Sequence, residues 1–355
     1  PLRLVGSEMC IRDRVLVVAD TMAIAQDAAE LVSIAYNDLS AVIDATTALS
    51  TNAPQLFDGV PNNQVFDYAS GDAQATTAAF ANAAHTVKLS VDNTRVVGNP
   101  MEPRACLAQY DAGRGDYTLH ACTQGVATMR GQIAAVMDVP AEKIRIAAQD
   151  VGGGFGVRFN LYPEYCATLL AAKLLGRAVK WTGSRSEVFL ADEQARDVRS
   201  TGEIALDAQG RILGMRFDFT ANLGAYLCPT GPFVNTLGVV NCLSGVYDVQ
   251  AVHARIRLAV TNTAPMAAYR GAGRPVMSYI LERLIDEAAL QLKIDPLELR
   301  QKNFIPAHAF PYTLVNGFVY DCGDFQAVMQ HARKAADWDG FAKRRAASLK
   351  AGRLR

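Results

Sequence analysis

Paired cysteines, clustered histidines, a charge excess and long apolar runs are all missing from this chain, and each absence removes a class of function. The seven cysteines, at 10, 106, 122, 166, 228, 242 and 322, form no Cys-x-x-Cys pair and lie mostly inside apolar segments. They read as reduced, buried thiols of a reducing compartment, the cytoplasm, and offer no frame for an iron–sulfur cluster or a structural zinc. The five histidines, at 85, 120, 253, 308 and 331, are too scattered to ligate a metal. Lysine plus arginine number 35 and aspartate plus glutamate number 35, so nothing points to nucleic acid. The apolar run 166–175 is interrupted by Lys173 and is too short to span a bilayer. Neither a Gly-x-Ser-x-Gly elbow nor a Walker-type loop occurs. No signal peptide is legible, since Arg3, Arg12 and Arg14 surround no apolar core. Residues 1–14 look instead like translated sequencing adaptor, an assembly scar, and the expectation is a truncated reading frame that starts upstream.

What is there is a chain of 355 residues, 50% hydrophobic, long enough for one large domain or two ordinary ones. The opening unit, 15–50, reads as strand 15–19, helix 21–34 and short strands at 33–36 and 41–43, too small to hold a core alone. Asn52, Pro54, Gly59, Pro61, Asn62 and Asn63 give linker composition, and 51–70 is assigned as a linker. The remainder, 71–355, mixes strands with interleaved helices. Helices are expected at 72–83, 126–137, 163–175, 276–292, 296–303 and 324–335, and strands at 85–97, 105–111, 117–121, 144–147, 178–182, 203–206, 211–219 and 254–260. The pattern is that of an α+β fold.

One stretch stands out: Asp150-Val151-Gly152-Gly153-Gly154-Phe155-Gly156, a glycine turn between strand 144–147 and helix 163–175. Glycine permits positive φ and lets backbone N–H groups approach a ligand closely, with Phe155 able to wall a flat one. A tight structural turn under a helix explains a glycine run equally well. Three further loops are polar or glycine-rich after strands: 99–104, Thr123-Gln124-Gly125, and Tyr269-Arg270-Gly271-Ala272-Gly273-Arg274. Gln124 offers a neutral donor and acceptor, or caps the helix that starts near Val126. Arg270 offers a planar cation to an anionic substrate, or serves as a structural arginine bonded to carbonyls.

In order and wording these motifs, with Asn99-Pro100-Met101-Glu102-Pro103-Arg104, Ala268 to Pro275, Glu282 to Ala289, Leu299 to Asn303 and Tyr320 to Phe325, resemble one family. It is the molybdopterin-binding large subunit of the xanthine dehydrogenase, aldehyde oxidase and aerobic carbon monoxide dehydrogenase family. The resemblance implies the end of an α/β hammerhead domain in 15–50, and the first part of a molybdopterin-binding domain in 71–355. It implies oxidative hydroxylation of an aldehyde or N-heterocycle, a small-molecule substrate, at a molybdenum centre. Cofactor contacts fall on Gln124, beside the molybdenum oxo ligand, on Gly153, Gly154, Phe155 and Gly156, and on Arg270, which steadies the substrate's developing charge. The metal would be held through the pterin, in the cytosine dinucleotide form, with no ligand from this chain. Iron–sulfur and FAD centres would sit on partner subunits, in a dimer of heterotrimers.

The chain departs from the pattern in three places. Carbon-monoxide-oxidising members carry a copper-binding cysteine after the arginine, where this chain has Gly271, which counts against that substrate. Relatives usually place Glu where Val276 stands. The family's general base is a glutamate in a segment beyond this chain, and Glu102, Glu164 and Glu282 are not its counterparts. The isolated polypeptide is therefore expected not to turn over. Two other readings exist: a dinucleotide-binding oxidoreductase, against which Gly152-x-Gly154-x-Gly156 fails Gly-x-Gly-x-x-Gly and no acid ends strand 178–181, and a non-catalytic relative.

Overall fold

The structure, a computed structural model, describes residues 15–353; residues 1–14, read from the sequence as an assembly scar, lie outside the described residues. Thr21 caps helix α1 (Met22–Glu30), and Asp44 caps the short α2 (Ala45–Ala48). Strand β1 (Gln64–Gly71) is followed by α3 (Ala73–Ala81), β2 (His85–Asn93) and β3 (Val96–Val97). Then come β4 (Ala105–Asp111), β5 (Asp116–Ala121), α4 (Val126–Met137), β6 (Ile144–Ala147), α5 (Pro163–Leu175) and β7 (Val179–Thr182). The chain continues through α6 (Arg185–Ala191), β8 (Gln194–Ala195), β9 (Val198–Leu206), β10 (Ile212–Gly224), α7 (Gly231–Asn235), α8 (Leu237–Val240) and β11 (Val252–Val260). It closes with α9 (Arg274–Leu292), α10 (Pro296–Asn303), β12 (Tyr312–Thr313), β13 (Val319–Tyr320), α11 (Phe325–Ala335) and α12 (Phe341–Lys350).

The larger sheet has the order β1-β11-β10-β9-β2, antiparallel except for the β10–β11 pair. Helix α9 carries Pro275 at its second position, where proline suits the first turn because its missing N–H has no helical partner there. Ile280, Leu284 and Ala288 are fully buried on it, as its periodicity predicts. The helix packs closely over the sheet at Gly202, where a Cβ would stand 3.1 Å from Ile280 Cγ1. Val276 is 0% exposed in the same core, which accounts for an apolar residue there: a glutamate would be buried without a partner. The second sheet, β6-β5-β4-β7, is covered by α4 and α5 through Leu119, Met129, Ile133 and Leu169.

Several expectations fail near the amino end. Residues 15–19, 33–36 and 41–43 are irregular rather than strands, because alternation makes a strand only where a neighbouring ladder accepts its N–H and C=O groups. Conversely, Gln64–Gly71, placed in the linker, is β1 and pairs along β11. The 85–97 strand breaks after Asn93, where Arg95 turns in to bond Asp197 and Gln194. Val42, Ala45 and Ala48 pack on Ala259, tying this early segment to the larger sheet.

Candidate functional site

The glycine turn leaves the second sheet after β6 and runs into the gap between the two sheets' loops. Its glycines are needed first for packing. A Cβ on Gly152 would lie 2.5 Å from Glu102 Cβ, one on Gly154 2.5 Å from Gln124 Cδ, and one on Gly156 2.4 Å from Ala268 O. The four loops singled out in the sequence therefore converge on one another here, and the missing side chains let them do so. Gly153 has φ +107° and Gly156 φ +101°, while Phe155 holds φ +56°, a left-handed conformation uncommon for an aromatic residue. Strain of this kind persists where the surroundings hold it, and both ends of the turn are held. Glu102 exchanges bonds with Gly152, its Oε2 accepting the Gly152 N–H at 2.8 Å and its own N–H donating to Gly152 O at 3.1 Å. At the other end the Arg270 N–H donates to Phe155 O at 2.8 Å.

Gln124 does not cap α4; no side chain caps that helix. Its Oε1 instead accepts the N–H groups of Gly156 at 2.8 Å and Arg158 at 3.3 Å. Two backbone donors fix the amide orientation, since only the oxygen can accept them. The Nε2 group is left without an acceptor among the described residues, as are the N–H groups of Gly153, Gly154 and Phe155. Arg270 is exposed, and its guanidinium has no hydrogen bond or ion pair among the described residues. The amide Nε2, the three turn N–H groups and the Arg270 guanidinium are all donors. That set fits an oxygen-rich, anionic group such as a pterin cofactor carrying molybdenum.

Behind the turn lies a buried charge network that the sequence reading did not find. Arg104, 1% exposed, donates to Asp192 at 2.5 Å and Glu164 at 2.8 Å, and its guanidinium lies over the Tyr162 ring at 3.8 Å. Arg158, equally buried, reaches Asp192 at 3.5 Å and donates to Glu102 O at 2.7 Å, so it supports the residue that clamps Gly152. Burial works to lower the Arg104 pKa, but the adjoining Glu164 and Asp192 carboxylates outweigh it and move it up. Burial, helped by Glu193 and Asp192, pushes the Tyr162 phenol well up. Asn160 donates to Glu193 at 2.5 Å alongside. Arg158 follows the glycine turn by two positions, but no periodicity marks a buried ion pair whose partner, Asp192, is 34 residues away.

The glutamates are structurally engaged: Glu102 on the turn, Glu164 with Arg104, and Glu282 with Arg300 and Tyr247. Among the described residues no group of three or more His, Cys, Asp or Glu side chains can hold a metal ion, and no helix is long and apolar enough to cross a membrane.

Residues 56–304 match the molybdopterin cofactor-binding domain family. The carbon monoxide dehydrogenase large chain of Hydrogenophaga pseudoflava is 35% identical over 94% of this chain and 43% of its own length. The chain belongs to the molybdopterin-binding large subunits. This molybdopterin-binding chain is also 35% identical to the 6-hydroxypseudooxynicotine dehydrogenase complex subunit gamma of Paenarthrobacter nicotinovorans, over 93% of the chain and 41% of that relative. A solved structure of quinoline 2-oxidoreductase from Pseudomonas putida 86 superposes with TM-score 0.88 at 32% identity, over 94% of the chain and 42% of that protein. The chain thus spans less than half the length of the relatives it matches. Gly271 has φ +93°, and a Cβ there would lie 2.6 Å from Pro275 Cγ. The sequence argument that Gly271 counts against carbon monoxide does not stand, because identity to the carbon monoxide dehydrogenase large chain is as high as to the 6-hydroxypseudooxynicotine dehydrogenase subunit.

Proposed function

We propose that the parent subunit carries out molybdenum-dependent oxidation of a small molecule, an aldehyde, an N-heterocycle or carbon monoxide. Its electrons would pass to iron–sulfur and FAD centres on partner subunits. One observation carries the reading: the free Nε2 of Gln124, the free N–H groups of Gly153, Gly154 and Phe155, and the unpaired Arg270 guanidinium converge from three loops onto one region. When bound, the molybdopterin group supplies two-electron oxidation and oxygen transfer from water. This chain's residues bind and orient. Gln124 and the glycine turn donate to cofactor oxygens without adding charge, and Arg270 draws in and steadies an anionic or polarised substrate. The Phe155 ring, 40% exposed, is a wall for a flat one.

The same reading includes the cytosine dinucleotide form of the cofactor, a cytoplasmic dimer of heterotrimers, and a hammerhead-type unit at 15–50 followed by a linker and the molybdopterin-binding domain. The deciding experiment is elemental analysis of the full-length subunit, co-expressed with its partner subunits in a host that makes the cofactor. Near-stoichiometric molybdenum, lost when the 155–156 turn is disrupted, is the expected result. A folded complex without molybdenum would leave a non-catalytic relative as the better account.

A further inference from the structure

We propose that Arg196 is the positioning residue of the 269–274 loop, occupying the loop's carbonyls so that the Arg270 guanidinium stays free for substrate. The inference rests on the site reading above and adds a residue to it. Arg196 Nη1 donates to Ala272 O at 2.5 Å and Tyr269 O at 3.4 Å, and Nη2 donates to Arg270 O at 2.9 Å. Its guanidinium also lies over the Tyr269 ring, 5.3 Å from the centroid. A planar fork of donors can take three carbonyls of one tight loop at once; an ammonium cannot match that geometry. No carboxylate pairs with Arg196 among the described residues. The hydrogen bonds of this side chain therefore all go to the loop.

The backbone is arranged to deliver it there. Strand β8 runs beside residues 265–267, with the Gln194 N–H donating to Pro265 O at 2.9 Å and the Ala267 N–H to Gln194 O at 2.7 Å. Arg196 and Asp197 then both take left-handed conformations, φ 68° and 58°, which turn the chain toward β9 and set Arg196 against the loop. Consecutive non-glycine residues in this region are held by their surroundings. Asp197 is the anchor: its carbonyl accepts the Asn222 N–H at 3.1 Å, and its Oδ2 accepts from Arg95 at 2.6 Å and Asn222 Nδ2 at 2.9 Å. Without the fork, the carbonyls of Tyr269, Arg270 and Ala272 lose these donors and become acceptors that compete for the Arg270 guanidinium. Presentation of Arg270 thus depends on a residue outside all four signature loops.

Arg196→Gly in the full-length subunit, co-expressed with its partners, tests this, because glycine takes φ 68° without strain and only the side chain is lost. Amide exchange at Ala272 and Arg274 should rise about tenfold or more, the weight of a charge-assisted hydrogen bond, while exchange in α9 beyond its first turn and in β10 is unchanged. Molybdenum content should hold, KM should rise more than kcat falls, and millimolar guanidinium should restore both exchange and KM. Unchanged exchange over 269–274 overturns the proposal, as does a loss of protection throughout β9 and β10 that guanidinium does not repair. Should the glycine variant fail to fold, Arg196→Lys keeps the charge without the fork, and wild-type exchange in that variant is equally fatal. A wild-type subunit lacking molybdenum would sink the site reading instead, and loop exchange would still decide the role of Arg196.

Discussion

The Gln124 side-chain oxygen accepts the Gly156 N–H at 2.8 Å, across 32 residues of sequence. This bond commits one end of the amide to the protein and turns the other outward as a donor. It also joins the end of the second sheet's central hairpin to the glycine turn, which Arg270 ties in turn to the segment leading into α9.

Gln124→Glu separates the two ends of the amide. A carboxylate accepts both backbone N–H groups but has no hydrogen to donate. Thermal stability should stay near wild type while turnover of the molybdenum-loaded complex falls. Gly154→Ala should give the same functional loss by another route, since its Cβ would stand 2.5 Å from Gln124 Cδ and push the amide aside. Its cost in stability should be about 1 kcal/mol, one net hydrogen bond. Equal turnover in the wild type and both variants would remove Gln124 from the site.

Gly156→Ala meets backbone rather than a movable side chain, 2.4 Å from Ala268 O at φ +101°. Unfolding stability should drop by about 3 kcal/mol or more. Gly131 in α4 has nothing within 4 Å of a built Cβ, and Gly131→Ala should stabilise by about 0.5–1 kcal/mol. Denaturant midpoints of the pair, moving in opposite directions, check both.

Asp192→Ala removes a shared carboxylate from two buried guanidinium groups, leaving Arg104 only Glu164 and Arg158 only the Glu102 carbonyl. A destabilisation of about 3–5 kcal/mol is expected, as for a broken buried ion pair. Asp192→Asn keeps an acceptor and should lose less. Urea unfolding of the two variants checks this: equal midpoints would make the lost charge, and not the lost acceptor, the whole cause, and an Asn midpoint at the wild-type value would remove the charge as the reason.

Burial pushes the thiols of Cys106, Cys166, Cys228 and Cys242 from the ordinary 9.0 up to about 11. The folded state therefore holds these protons more tightly than the unfolded chain. The stability tied to them is complete below pH 9.0 and drains as pH rises from 9.0 to about 11. Raised phenols at Tyr162 and Tyr165 act in the same alkaline direction. Thermal midpoints measured across this range should fall. At pH 8, Ellman's reagent should label exposed Cys322 fast and the buried Cys106 and Cys228 only on unfolding.

Elements with clear periodicity were readable from the sequence: β4, α4, β6, α5 and α9 lie where spacing and proline positions predict. The strands at 198–206 and 212–224 run longer than their local pattern, because the larger sheet buries both their ends. Within residues 15–43 the expected helix is present as α1, but the three expected strands are not. Alternating apolar residues such as Tyr36 and Ile43 stay exposed there, with no neighbouring strand to complete a ladder.

The sequence by itself determined which residues could do chemistry: a neutral amide, a glycine run and an arginine between glycines, each after a strand and each short enough to be recognised locally. Tertiary structure decided what those groups have left to offer. Gln124 keeps only its donor because Gly156 and Arg158 take its oxygen, and three glycines serve first as sites of loop contact. Arg104, Arg158, Asp192 and Arg196 acquire their roles only through partners far along the chain. Hydrogen bonding and desolvation act between neighbours in space, and local spacing carries no record of them.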